Sequence, residues 1–191
     1  MTTFQTTSAV DVEVVPALPE QEPILANMLE LYAHDFSELV DLKLGADGRF
    51  GYKRLPLYWT EPDRHPFLFT SHGHLAGFAF VRRGSEISDD ADVWDMAEFF
   101  IVRGFRRLGL GTKAAQEVWR KFPGRWEVRV MGRNQRAKEF WGRAINLFVG
   151  ETVEPDTFAQ DGEGWHLFSF ESGRAASAGR ETGKTFGTDA G

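Results

Sequence analysis

The chain contains no cysteine. That excludes disulfides, thiolate-ligated zinc and a cysteine nucleophile. No apolar run approaches the ~18 residues of a membrane-spanning helix. Basic charge is not in surplus: 22 Lys and Arg stand against 28 Asp and Glu, a formal net charge of −6. A protein that grips a phosphate backbone needs the opposite balance, so nucleic acid is not expected as the main partner, and neither is a membrane. The opening residues, MTTFQTTSAVDVEV, hold no basic n-region and no apolar h-region. No export signal is read there, and a cytoplasmic setting is expected.

Apolar and aromatic mass, in contrast, is plentiful. The 191 residues are 42% hydrophobic and include 17 Phe and 6 Trp. That suffices for one domain with a real core. A mildly acidic chain favours a cationic small molecule over an anionic one.

Residues 1–9 are polar and read as a flexible N-terminus. VDVEVV alternates like a strand, and Pro16 and Pro19 end it. Ile24, Leu25, Met28, Leu29 and Tyr32 then recur at helical spacing. SELVDLKLG reads as a second short helix, with Ser37 as N-cap and Gly45 as its stop. A long connection rich in Gly, Pro and aromatics follows. FLFTSHGHLAGFAFVRR reads as a hairpin turning at His72-Gly73, and VWDMAEFFIV (93–102) as a long strand. GTKAAQEVWRKF reads as a helix, RWEVRVM as a strand and NQRAKEFWGRAI as a helix capped by Asn134. LFVGETV and GWHLFSFE read as two final strands. Residues 172–191 have the composition of a disordered tail. The order specifies a mixed α/β domain over 10–171.

The stretch EFFIVRGFRRLGLGT, 98–112, suggests a phosphate cradle. A nucleotide P-loop would need Lys and Ser or Thr directly after the second glycine. Leu110-Gly111 stands there instead. A dinucleotide fingerprint would need its first glycine directly after the strand and an acidic residue ending the next one. Six residues intervene, and Glu127 begins its strand. A third pattern fits: Arg106, Arg107, Leu108, Gly109, Leu110, Gly111. Small residues let a backbone approach an anion, and helix-start amides then point at it.

FFIVRGFRRLGLGTKAAQEV resembles the coenzyme A motif of the Gcn5-related N-acetyltransferase (GNAT) superfamily. VMGRNQRAKEFWGRA resembles that superfamily's second motif. The finer pattern is similar to a less characterised bacterial branch of predicted acetyltransferases, and to kasugamycin-type aminoglycoside 2′-N-acetyltransferases. The resemblance implies a mixed sheet of about six or seven strands, splayed at the cofactor site and flanked by about four helices.

It further implies acetyl-CoA as cofactor and direct acetyl transfer to a primary amine of a small cationic, hydroxylated molecule, with aminoglycoside resistance as one outcome. Protein or peptide acetylation and a non-catalytic CoA-sensing module are the alternatives. The pyrophosphate would sit on amides of about Arg107 to Thr112, with Arg106 opening the loop. The arm would lie beside Phe99, Phe100 and Ile101, with Asn134 and Trp141 near it, and the Ile101 amide would polarise the thioester. A carboxylate base is implied at Asp95 or Glu98. Residues three apart on a regular strand face opposite ways, so only one should reach the site unless a bulge intervenes. Bulky neighbours favour Glu98. The superfamily's usual proton-donating tyrosine is replaced by Trp141, and indole is no general acid. Tyr32, Tyr52 and Tyr58 are the chain's only tyrosines. With Asp35 and Glu38 they form the expected acceptor set. His72 and His74 flank a turn glycine without a carboxylate at ligand spacing, so no metal is expected. The two final strands leave room for a homodimer.

Overall fold

The computed structural model describes residues 10–173, so the expectations for 1–9 and for most of the tail lie outside the described residues. The tail was expected from 172, but Ser172 ends the last strand, buried, its hydroxyl donating to the Trp119 carbonyl at 2.6 Å.

The strands are β1 (Glu13–Pro16), β2 (Arg64–Ser71), β3 (His74–Arg83), β4 (Trp94–Ile101), β5 (Gly124–Met131), β6 (Asp156–Gln160) and β7 (Glu163–Ser172). The helices are α1 (Glu22–Phe36), α2 (Leu57–Thr60), α3 (Leu110–Lys121) and α4 (Gln135–Val149). One sheet of seven strands runs β1-β2-β3-β4-β5-β7-β6. Among the described residues, only β4 and β5 pair in parallel.

Strand alternation builds two cores. Leu68, Phe78, Phe80 and Phe100 face α1 and α2, meeting Leu25, Met28, Leu29, Leu55 and Tyr58. Phe67, Phe69, Ala79 and Val81 face α3 and α4, meeting Ala114, Val118, Trp119, Trp141 and Ile145. Each fully buried Leu, Val or Phe contributes about 1.5–3 kcal/mol.

Two expected elements are corrected. SELVDLKLG is not a helix. Ser37 closes α1 as its C-cap, its hydroxyl donating to the His34 carbonyl at 2.7 Å. Gly45 lies in a turn, its N–H donating to the Arg49 carbonyl at 2.7 Å. Leu42 and Leu44 are exposed, so this segment has no apolar face against the core to hold a helix. LFVGETV is not a strand. Leu147–Val149 is the last turn of α4, ended by Gly150 in a left-handed conformation at φ 81°.

Candidate active site

β4 and β5 part company early. Their ladder holds only Trp94 with Trp126 and Asp95 with Glu127. β5 continues along β7 to Met131, so the later half of β4 has no strand on that edge. The Val102 N–H donates to the Ala76 carbonyl. Antiparallel alternation therefore turns the backbone of Phe100 toward β3, and that of Phe99 and Ile101 toward the gap. A cleft of about 430 Å³ opens there. It is lined by Ala97, Glu98 and Phe99 from β4, by Arg129 to Met131 from β5, by Asn134 and Trp141, and by Tyr32 and Tyr52 from the α1 side.

β4 runs into a turn at Arg103–Phe105 and then a glycine loop. Arg107 (φ 64°) and Gly109 (φ 81°) both take the left-handed conformation. The reversal brings the start of α3 back toward the end of β4. A Cβ on Gly111 would stand 3.2 Å from Phe140 and 3.3 Å from Ile101, so a side chain there would need those neighbours to give way by a few tenths of an ångström. The Lys113 N–H donates to the Gly109 carbonyl, leaving the amides of Leu110, Gly111 and Thr112 without an acceptor inside α3. Together with the helix dipole they form an anion seat.

Glu98 faces the α1 side inside the cleft. The Tyr52 hydroxyl donates to its Oε1 at 3.1 Å. Tyr32, Arg129 and Asp95 lie within electrostatic reach of it. Burial raises the Glu98 pKa above its ordinary value, and the Tyr32 and Tyr52 hydroxyls facing it oppose that shift only in part. Burial and the Glu98 charge push both hydroxyls' pKa values up in turn.

Residues 25–145 match the acetyltransferase (GNAT) family. The chain belongs to that family. Solved structures of similar shape include an acetyltransferase from Thermus thermophilus, with 17% identity, TM-score 0.62, and 85% of this chain and 97% of that one covered. yncA from Salmonella typhimurium, solved with acetyl-CoA, gives 11%, 0.57, 87% and 97%. The spermidine/spermine N-acetyltransferase SpeG from Vibrio cholerae gives 10%, 0.53, 85% and 93%. Such identities speak for the fold alone. No curated protein matches the sequence. The likeness to kasugamycin-type enzymes finds no support there.

As a GNAT acetyltransferase the chain performs acetyl-CoA-dependent acyl transfer. Its residues fit that cofactor. The free edge at Phe99 and the Ile101 N–H can pair with an extended amide-bearing arm, the Ile101 carbonyl being held by Arg106, and the amides of 110–112 can hold a pyrophosphate. Leu110 offers only its backbone, because its side chain is buried, whereas Leu108 is exposed. Phe100 is sealed against Phe78 and Tyr32, its backbone committed to β3.

Several expected residues take other partners. Asp95 is buried, accepting from Arg82 Nε at 2.8 Å and Nη2 at 2.6 Å, and does not line the cleft. Burial pushes its carboxyl up, against the opposing pull of Arg82. Arg106 donates through Nε to the Ile101 carbonyl at 2.6 Å and through Nη2 to Asp35 at 2.6 Å. Asp35 also holds Arg103 at 2.5 Å. Burial works to raise the Asp35 pKa, but the hydrogen bonds from Arg103 and Arg106 hold it below the usual range. Its carboxylate is therefore a clamp between α1 and the turn that follows β4. Glu38 is exposed and outside the cleft lining. Tyr58 lies behind Tyr52, packed on Phe80 at 4.1 Å, its pKa raised by burial to about 12.

Asn134 Oδ1 accepts the Ala137 N–H at 3.1 Å, an N-cap for α4. Its amide nitrogen stays free of that bond, and the residue lines the cleft. Trp141 packs among Phe99, Trp119 and Phe140 at 5.0, 6.0 and 4.9 Å. Arg129 and Glu30 are among the cleft residues that escaped the sequence reading. Arg129 gave no signal beyond an ordinary strand arginine. Glu30 gave none beyond a polar helix position, yet its carboxylate accepts the Phe50 N–H at 2.8 Å and the Gly51 N–H at 3.0 Å.

Proposed function

We propose that this enzyme acetylates the primary amine of a small molecule, with Glu98 as the general base. The carrying observation is one ionisable carboxylate at the splay, beside the free edge of β4, with a pKa raised by burial. Most alkyl amines are protonated at pH 7, so a carboxylate of raised pKa is suited to take the proton. Acetyl-CoA supplies the thioester. Phe99 and Ile101 hold its arm by their backbones, and the amides of 110–112, with Arg106 and Arg107 beside them, hold its phosphates. The Ile101 N–H is the donor assigned to the oxygen that gains charge. Asn134 contributes its side-chain amide to the arm, and Trp141 and Phe140 wall the cleft.

A cleft of about 430 Å³ with aromatic walls supports a small acceptor. Asp35 and Glu38 were the expected partners of an amino sugar's ammonium groups. One is ion-paired and the other stands outside. Lys43 and Arg129 line the cleft as well, and its second carboxylate, Glu30, is taken up by the Phe50 and Gly51 amides. This balance favours an acceptor with one ammonium group at Glu98 over a multiply charged aminoglycoside. Polyamines, the substrates that SpeG is named for, fall in the same multiply charged class. Thiol release from acetyl-CoA over a panel of monoamines, amino sugars, aminoglycosides, polyamines and N-terminal peptides tests this. Monoamines and simple amino sugars are expected to give the highest kcat/KM. A peptide or aminoglycoside ahead of them by tenfold would overturn the acceptor assignment.

A further inference from the structure

An alkanethiol has a pKa near that of cysteine, about 8.5, so the leaving sulfur departs as a basic anion and must gain a proton. Trp141 cannot give one, being an indole wedged among aromatic rings. Among the residues that line the cleft, only Tyr32 and Tyr52 carry a hydroxyl. The Tyr32 ring is locked between Phe36 at 5.6 Å, Phe78 at 5.9 Å and Phe100 at 5.9 Å. Tyr52 sits on the connection between α1 and α2, and that connection is held in place at one point beside it. The Glu30 carboxylate takes the two amides just before Tyr52, and Gly51 makes the turn at φ 71°.

We propose that Tyr52 is a catalytic residue, the hydroxyl that returns the proton from Glu98 to the departing sulfur, and that Glu30 is the positioning residue that aims it. The inference rests on Glu98 as base. Glu98 takes a proton from the attacking nitrogen as the N–C bond forms. As the C–S bond breaks, the Tyr52 O–H proton goes to sulfur, and Glu98 refills the Tyr52 oxygen. One proton moves from nitrogen to sulfur, no redox change occurs, and Glu98 ends as it began. A relay of this kind never requires a free tyrosinate, so the high pKa of the buried hydroxyl is no obstacle. The groups around the pair are Tyr32 on α1, Tyr58 on α2, Asp95 on β4 and Arg129 on β5.

The test pairs kinetics with a measurement on the free enzyme. Tyr52→Phe is expected to lower kcat about 10²-fold, within the range of a lost acid–base group, with the acetyl-CoA KM little changed. Carboxyl NMR of the free variant should show Glu98 titrating at higher pH, because its charged form has lost a hydrogen bond. Glu30→Gln, which alters neither member of the pair, should lower kcat several-fold. A Tyr52→Phe enzyme with native kcat overturns the relay, as does a Tyr32→Phe enzyme that loses more than Tyr52→Phe, or an unshifted Glu98 resonance. Glu98→Gln separates the two claims. If it keeps native kcat, the base assignment fails first. If it is inactive while Tyr52→Phe is native, only the relay fails.

Discussion

Asp95 and Glu98 stand three residues apart on β4 and face the same side of the sheet. Asp95 pairs in register with Arg82 and Glu98 with Phe80, two positions along β3, because Ala97 is an extra residue in β4. The bulge puts one carboxylate into an ion pair and the other into the cleft. A regular strand would have turned one of them toward α3 and α4.

Asp95 therefore belongs to stability. Its carboxylate and the Arg82 guanidinium are both nearly inaccessible, with Glu86 as a further partner of Arg82. Asp95→Asn leaves a buried cation half-paired and should cost about 3 kcal/mol. Thermal and urea unfolding will read that loss. The kcat of the folded fraction should fall far less than in Glu98→Gln.

With Glu98 as the proposed base, its ionisation should set the pH dependence. It accepts a proton only when ionised, and burial raises its folded pKa above 4.5. Activity should fall as pH drops through an acid limb that lies above the ordinary glutamate range. The kcat/KM profile of the native enzyme should show that limb, and Glu98→Gln should lack it.

The Asp35 clamp joins the acceptor side to the cofactor side. One of its two arginines, Arg106, also holds the Ile101 carbonyl at the end of β4. Asp35→Asn should loosen the turn before α3 and raise the acetyl-CoA KM roughly fivefold, the equivalent of about 1 kcal/mol for a half-exposed pair. A lower KM would mean that Asp35 competes with the phosphates for these arginines.

Gly77 guards the strand that carries the site. A Cβ there would lie 2.2 Å from the Phe100 carbonyl oxygen, and a ladder backbone cannot yield that space. Gly77→Ala should cost about 2 kcal/mol or more and lower kcat by moving β4. Chemical denaturation alongside kinetics checks both.

Much of this was legible from local pattern. The β2–β3 hairpin announced itself at His72-Gly73, and the glycine turn into α3 at Gly109 to Gly111. The failures have physical causes. Leu39 with Leu42 and Val40 with Leu44 have helical spacing, but Leu42 and Leu44 stay exposed and give a helix no face against the core. Ala144, Ile145 and Phe148 continue one apolar face of α4 through what looked like a strand. The true strand, β6, joins β7 through Asp161-Gly162, a hairpin signal present in the sequence. The β4 bulge left no such mark, since Ala97 is an ordinary strand residue. Nor could spacing foretell that Tyr32, Tyr52 and Tyr58, spread over two helices and a loop, would all come within electrostatic reach of one glutamate. That convergence is made by tertiary packing and by the Glu30 clasp.

The most direct test is thiol release from acetyl-CoA with a small primary amine, followed from pH 5 to 9 in the native enzyme and in Glu98→Gln. The account predicts amine-dependent release with an acid limb in the native enzyme, and a loss of about 10²-fold or more without that limb in the variant. Equal rates across the whole range would contradict it.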